Sequence, residues 1–366
     1  MLNIVLSGGP SGGKSTSIAK ICSELSEKLG MHVLVVPETA TELILNGIYP
    51  GENISMEEFQ ELVLDKQLFK EDLYKKSLRY FDNDKTVILY DRGILDQMAY
   101  IDKSKFEQLL KDRGLSIADI NNRYDVVIHL TTAAKGTNCY TTENNAARRE
   151  TAEEAIIADD KTLSVNVLHP HLRVVDNSTN FEQKIQRVLK IIFDMLDVPA
   201  PSEIERKFLI KMPDKNLLSN LDFYSKNEII QTYLKSLDKN TERRVRQRGN
   251  SNDGYSFYYT EKTAISSIER IETECKISMK EYVDYLTESD TSLHQIRKTR
   301  YCFLYENQYF EMDIYPFSKE YAIMEIELSS PNEEVKIPDF ISVIKEVTED
   351  DNFKNHSLAK VLSFNI

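Results

Sequence analysis

Two carboxylates and an ammonium share one side of a short apolar segment. In "SEIERKFLI" (202–210), Glu203, Glu205 and Lys207 are spaced two apart. Strand side chains alternate between faces, so these three point one way and Ile204, Arg206 and Phe208 the other. The spacing recurs downstream. Arg244, Arg246 and Arg248 share a face of "RRVRQR", Lys262 lies in "YYTEK", and Arg270, Glu272, Glu274 and Lys276 alternate in "RIETECK". Lys298 and Arg300, Glu311 and Asp313, and Glu325 and Glu327 repeat it, with apolar residues such as Val245, Met312 and Ile326 opposite. One such strand reads as a solvated face. Seven read as a sheet closed on itself, with charges along its bore and helices over its apolar side. Buried ions are costly even when paired, so this interior is expected to hold a highly charged ligand. Arg and Lys suit phosphate oxygens, and carboxylates suit hard cations such as Mg²⁺ or Mn²⁺.

A second constellation stands at the start of the chain. "GGPSGGKS" fits G-x-x-x-x-G-K-[ST] from Gly8 to Ser15, between the strand-like "NIVLS" and the helical "STSIAKICSELSEKLG", the context that this motif requires. Gly8, Gly9, Ser11, Gly12 and Gly13 let backbone N–H groups surround phosphates at a helix N-terminus. Lys14 is expected on the β and γ oxygens, Ser15 on Mg²⁺ and Thr16 beside them. Asp91 and Arg92 follow the run "TVILY", where such sheets bind ligands. Asp91 reads as a neighbour of Mg²⁺, as a cap of the following helix, or both. Glu38, after "HVLVVP", reads equally as a general base and as part of a helix start. Arg148 and Arg149 lie in a polar run of lid composition, where they either swing onto transferring phosphate or stay solvated.

These groups need two frameworks. At 366 residues the chain exceeds what one core usually serves. "NIVLSG", "HVLVVP", "TVILYD", "YDVVIHL" and "LRVVDN" alternate with helical patterns, predicting an α/β unit with a parallel, doubly wound sheet over 1–197. Pro199 and Pro201 mark a linker, 198–202. Closely spaced strands then predict an α+β unit over 203–366 built on an antiparallel barrel. The net charge of −13 disfavours DNA and other broad nucleic-acid binding. Cys22, Cys139, Cys275 and Cys302 show no paired spacing, which fits a reducing cytoplasm. No run approaches a membrane span, and no signal peptide is expected. Cys275 and Cys302 are expected to pack within strands, and the tyrosines of "YSFYY" to lie outside the barrel.

The first half resembles the P-loop nucleoside-kinase-like ATPases of the ribosylnicotinamide kinase-like group, through "GGPSGGKS", "VPET", "LYDRGILD", "NNAARRET" and "VVDNSTNF". That resemblance implies nucleotide binding, with Asp176 and Asn177 beside the base. No guanine motif of the N-K-x-D type appears, which tilts ATP over GTP. Glu203-x-Glu205-x-Lys207 resembles the ExExK signature of the triphosphate tunnel metalloenzymes, the cyclase–thiamine triphosphatase (CYTH) family. This resemblance implies an eight-stranded antiparallel tunnel. Glu203, Glu205, Glu325 and Glu327 would bind one or two metals, and Lys207, Arg244, Arg246, Arg248, Lys262, Lys298 and Arg300 a triphosphate. Glu272, Glu274, Glu311 and Asp313 are shared between metal binding and water activation. The expected substrate is inorganic triphosphate, a nucleotide or a similar small molecule, with RNA 5′-triphosphate and cyclisation of ATP as alternatives. The domain order is also similar to that of the animal TRPL translocation defect proteins, which implies GTP and phosphorylated-lipid binding with little catalysis.

Overall fold

The structure, a computed structural model, describes residues 1–136, 151–196, 204–214, 224–236, 238, 241–264, 270–306, 308–328 and 334–364; at 83, 204, 263–264 and 270–273 it describes the backbone alone. Arg148, Arg149 and Glu203 lie outside the described residues, as does the Glu272 side chain. The chain forms two compact units, Met1–Ser116 with Arg123–Glu203, and Ile204–Ile366 with Ile117–Asn122.

In chain order the first stretch runs β1 (Leu2–Ser7), α1 (Lys14–Leu29), β2 (His32–Val36), α2 (Thr39–Leu45), α3 (Met56–Ser77), β3 (Thr86–Asp91), α4 (Lys103–Asp112), α5 (Ile117–Asn121), β4 (Val126–Leu130), α6 (Ala152–Asn166), β5 (Leu172–Val175) and α7 (Phe181–Met195). The five strands are parallel, in the order β2-β3-β1-β4-β5. Every residue of β1 and β4 is buried, as expected of parallel strands covered on both faces. Ile4, Leu6, Leu89 and Ile128 pack with Ile21 and Leu25 of α1 and with Val188 and Ile192 of α7. This packing fixes the carboxyl ends of the strands, where the phosphate loop, Glu38 and Asp91 emerge.

The second unit contains β6 (Ile204–Lys211), β7 (Tyr224–Leu234), β8 (Thr241–Asn250), β9 (Gly254–Ala264), β10 (Arg270–Ile277), α8 (Met279–Leu286), β11 (Ile296–Tyr305), β12 (Gln308–Ile314), β13 (Tyr321–Leu328), β14 (Val343–Glu346) and α9 (Asn355–Val361). Its strands form one antiparallel sheet, β10-β9-β8-β7-β11-β12-β13-β6-β14. The tunnel was expected to have eight strands and closed edges. Among the described residues the sheet has nine, and β10 and β14 do not pair with each other.

The charged face is nonetheless concave. Tyr233 on β7 and Leu209 on β6, four strands apart, share an apolar cluster with Ile296, Ile323, Phe353 and Leu358. The segment ending in α9 therefore fills one part of the concave face, which was expected to be charged throughout. On the convex face α8 packs Tyr282 against Val245. Ile341, with Val335, Ile337 and Phe340 of an irregular segment, covers Phe208, Phe310, Met312 and Met324. Helices thus cover only part of the side they were expected to cover.

Candidate functional sites

The phosphate loop is held by contacts that fix its shape. Gly8 has φ 134°, and a Cβ there would stand 2.2 Å from the Leu130 carbonyl oxygen. The Lys14 ammonium donates to the Gly8 and Gly9 carbonyls at 2.9 and 3.1 Å, folded back over the loop. Burial and the Arg92 charge lower its pKa to about 8, against the pull of Glu38, Asp91 and Asp96. Ser15 and Thr16 are exposed at the start of α1, open to a ligand.

Two carboxylates flank Arg92, which sits in a left-handed backbone conformation at φ 74°. Its Nε donates to Glu38 at 2.5 Å, and Asp96 lies 3.6 Å from its guanidinium. Burial alone would raise the Glu38 pKa, but Arg92, Lys14 and the Thr41 hydroxyl hold it at about 2. That value makes Glu38 a poor proton acceptor and a good anchor for Arg92. Asp91 ends β3, while Gly93 caps the following 3₁₀ turn, Ile94–Ala99. The capping role considered for Asp91 is therefore not the one adopted. Its Oδ1 is buried without a hydrogen-bond partner, and burial raises its pKa, with Lys14 opposing and Glu38 adding to the shift. An orphaned carboxylate oxygen beside the phosphate loop fits a hard cation.

Other groups here escaped the sequence reading. The buried Asp159 carboxylate accepts from the Gly9 and Thr132 N–H groups at 2.8 and 3.1 Å, contacts His129 Nε2 at 3.1 Å and pairs with Lys135 at 3.0 Å. Asp96 accepts from the Ser7 hydroxyl and the Asn166 amide at 2.8 and 2.7 Å. Behind the Arg92 turn, Gln67 donates to the Arg92 carbonyl at 3.2 Å, and the Tyr124 hydroxyl accepts from Ile94 N–H at 3.0 Å. Gln67 and Tyr124 both donate to the buried Glu71. Asn177 is occupied structurally, its amide donating to the Thr132 and Lys135 carbonyls and its oxygen accepting from Lys184. Asp176 accepts from Arg187 at 2.7 Å and from the Ser178 hydroxyl. These Asp176 bonds all fall on Oδ1, on a side chain that is one third exposed.

The concave face of the second unit joins its charges into networks. Arg300 forms a bidentate pair with Asp313 at 2.7 and 2.6 Å, reaches Glu325 at 3.0 Å and also bonds Glu311. Lys298 bonds Asp313 as well. Both Asp313 oxygens are therefore engaged by cations, and its pKa is held far below the usual carboxylate range, the two cations overcoming burial. Asp313 thus braces both basic groups. Lys207 bridges Glu325 at 2.9 Å and Glu205 at 3.1 Å. Burial and then Glu325 raise the Glu205 pKa, with Lys207 opposing.

Arg246 lies 3.6 Å from Glu274, and Arg248 lies 3.8 Å from Glu311. Burial and the charges of Arg244, Arg300 and Arg248 lower the Arg246 pKa, while Glu274 opposes them. Its Nε is buried without a hydrogen-bond partner. Glu327 stands opposite Glu205 in the register, and Lys262 opposite Glu272. Cys302 is buried, as expected, but Cys275 is exposed. Tyr258 shares the parity of Lys262 and is buried opposite Arg246, so one tyrosine of "YSFYY" faces inward.

Among the described residues no three His, Cys, Asp or Glu side chains gather as a metal would require. Glu205 and Glu325 nonetheless act on each other, the second carboxylate raising the pKa of the first. A divalent cation beside both would relieve that repulsion, so the donor set fits a hard cation. No helix among the described residues is long and apolar enough to cross a membrane.

Comparison with known proteins finds one family model in each half of the chain. Residues 3–184 match the family described as AAA domain, and residues 201–348 the family described as CYTH domain. Among solved structures, the inorganic triphosphatase NE1496 is 27% identical over 43% of this chain and 95% of its own, with a TM-score of 0.32. A thymidylate kinase from Ehrlichia chaffeensis is 16% identical over 54% of this chain and 98% of its own, with a TM-score of 0.36. The PH1012 protein from Pyrococcus horikoshii OT3 is 20% identical over 36% of this chain and 81% of its own, with a TM-score of 0.26. No curated protein matches the chain.

Proposed function

We propose that this chain, an AAA-type P-loop unit joined to a CYTH unit, is an enzyme of nucleotide and polyphosphate chemistry. Its first unit binds ATP or GTP and transfers or hydrolyses a phosphoryl group. Its second hydrolyses a small triphosphate with Mg²⁺ or Mn²⁺. The observation that carries this reading is Arg246, a half-buried guanidinium whose Nε is buried without a hydrogen-bond partner among three other arginines. Such a cation is stabilised by an anion with several oxygens, and a triphosphate supplies them.

In the second unit Lys207, Arg244, Arg246, Arg248, Lys262, Lys298 and Arg300 would hold the triphosphate and balance charge on its equatorial oxygens. Glu205 and Glu325, with Glu203 and Glu327 near them in sequence, would hold the metal, and Glu272, Glu274 and Glu311 lie on the same charged strands. The bound metal would act as a Lewis acid on phosphoryl oxygens. The proton of the attacking water would pass to a carboxylate of this charged face. In the first unit Lys14 would neutralise the β and γ phosphates, with Ser15 and Asp91 disposed for Mg²⁺. Glu38 would orient Arg92 rather than act as base.

The test is phosphate release from inorganic triphosphate, ATP and GTP with Mg²⁺ or Mn²⁺, compared with Lys14→Ala and Glu205→Ala. Release lost only in Glu205→Ala supports hydrolysis in the second unit. Loss only in Lys14→Ala assigns it to the first. No release despite tight nucleotide binding would overturn the enzyme reading in favour of a regulatory module.

A further inference from the structure

Helix α3 buries Phe59, Val63, Leu64, Gln67 and Glu71 and turns its other side outward. That outer side is not the polar stripe expected of a surface helix. Phe69 is 68% exposed, Leu73 52% and Leu62 42%, and their spacing of seven and four aligns them. Tyr80, 72% exposed, follows just past the helix, with the Arg79 guanidinium 4.7 Å from its ring centroid.

We propose that a second copy of this chain docks on this face, α3 against α3 and antiparallel, about a twofold axis passing between Lys66 and Phe69. The occupant follows from the order of charges along the helix. Its first ten residues carry Glu57, Glu58, Glu61 and Asp65 and no cation. From there Lys66, Lys70, Lys75, Lys76 and Arg79 outnumber Glu71 and Asp72. A parallel pair would set like charges together, whereas an antiparallel pair sets the acidic half of each copy on the basic half of the other, as a self-complementary interface demands. With this axis Leu62 meets Leu73 and the Phe69 ring meets the Lys66 side chain. Glu58 comes beside Lys76. Glu57, Glu61 and Asp65 already pair with Lys105 and Arg113, and Lys66 and Lys70 with Glu42, so attraction between copies falls at the ends of the stripe, on Lys76 and on Glu58, whose carboxylate also caps the helix through Ser55.

Sedimentation of the full chain over a micromolar dilution series tests this, and a dimer is expected. Phe69→Asp should raise the dissociation constant at least about thirtyfold while leaving the thermal melt of the diluted monomer in place, since the residue is exposed. Lys76→Glu should weaken the dimer, as should Glu58→Gln, which keeps the capping bond to Ser55 and removes only the charge; Lys76→Glu combined with Glu58→Lys should regain affinity over Lys76→Glu alone. A wild-type chain that stays monomeric, or a dimer that survives Phe69→Asp, would overturn the proposal. A double exchange that restores nothing would overturn the antiparallel register.

Discussion

Replacing Asp313 by Asn keeps the shape of the side chain and removes one buried charge. Two cations lose their shared partner unequally. Arg300 keeps Glu311 and Glu325, whereas Asp313 is the one carboxylate bonded to Lys298 among the described residues. Removing one member of a buried pair typically costs about 3–5 kcal/mol, and the structure indicates how the cost varies with pH. Burial and Arg300 already lower the Lys298 pKa from 10.5 to about 8, against the pull of Asp313. At about 1.4 kcal/mol per pH unit, the wild type bears about 3 kcal/mol of this at pH 7. Without Asp313 the folded pKa falls further, and Lys298 sheds its proton at a cost of about 5 kcal/mol relative to the unfolded chain at pH 7. The Lys298 share of the loss is thus about 1–2 kcal/mol at pH 7, and lost charged hydrogen bonds to Arg300 add about 2.

The sign follows from proton binding. In the variant, Lys298 binds fewer protons when folded than when unfolded over a wider pH range, so the Lys298 share of the destabilisation vanishes above about pH 8 and grows as pH falls below it, while the Arg300 share stays constant. Urea unfolding at several pH values from 6 to 9, followed by a probe in the second unit, measures this difference. A loss under about 1 kcal/mol at pH 7, or one that grows with pH, would refute the reasoning.

Three further outcomes are expected. Gly8→Ala puts a Cβ 2.2 Å from the Leu130 carbonyl oxygen at a φ that disfavours side chains, so nucleotide binding by titration should fall at least about tenfold; retained affinity would exclude this loop geometry. Arg246→Met removes a poorly compensated cation, so the melting temperature without ligand should hold or rise while stabilisation by tripolyphosphate disappears. A tripolyphosphate-dependent shift equal to wild type would place the anion elsewhere. Tyr124→Phe leaves Ile94 N–H without its hydroxyl acceptor and should cost about 1–3 kcal/mol; a change below about 0.5 in urea unfolding would show that the Arg92 turn does not need this brace.

The five parallel strands were legible because burial on both faces leaves apolar runs, as in "TVILYD". The charged strands were legible by their parity. β7 carried no such mark, because its concave residues Asn227, Ile229, Gln231 and Tyr233 are uncharged, and β14 is four exposed residues paired to β6 alone. Parity with Lys262 did mark Tyr258 as inward-facing, a signal the reading of "YSFYY" passed over. Around the phosphate loop the motif residues were visible, but Asp159 was not: it lies 150 positions from Gly9, and its role exists only once α6 packs. For Asp313, expected between metal binding and water activation, sequence gives the face but not the bonds from Arg300 and Lys298.

The contact between Gly9 and Asp159 also restricts how this chain can change over evolutionary time. Position 9 is one of the four variable positions of the phosphate-loop pattern, yet a Cβ here would lie 2.7 Å from the Asp159 Cβ. The glycine is therefore required by a helix far along the chain, not by phosphate. Neither position can drift alone: a side chain at 9 collides with Asp159, and shortening Asp159 strips the Gly9 and Thr132 N–H groups of their acceptor and leaves Lys135 with Asp160 alone. Descendant sequences should keep both residues or replace both, with single replacements rare because the intermediate is penalised from either side.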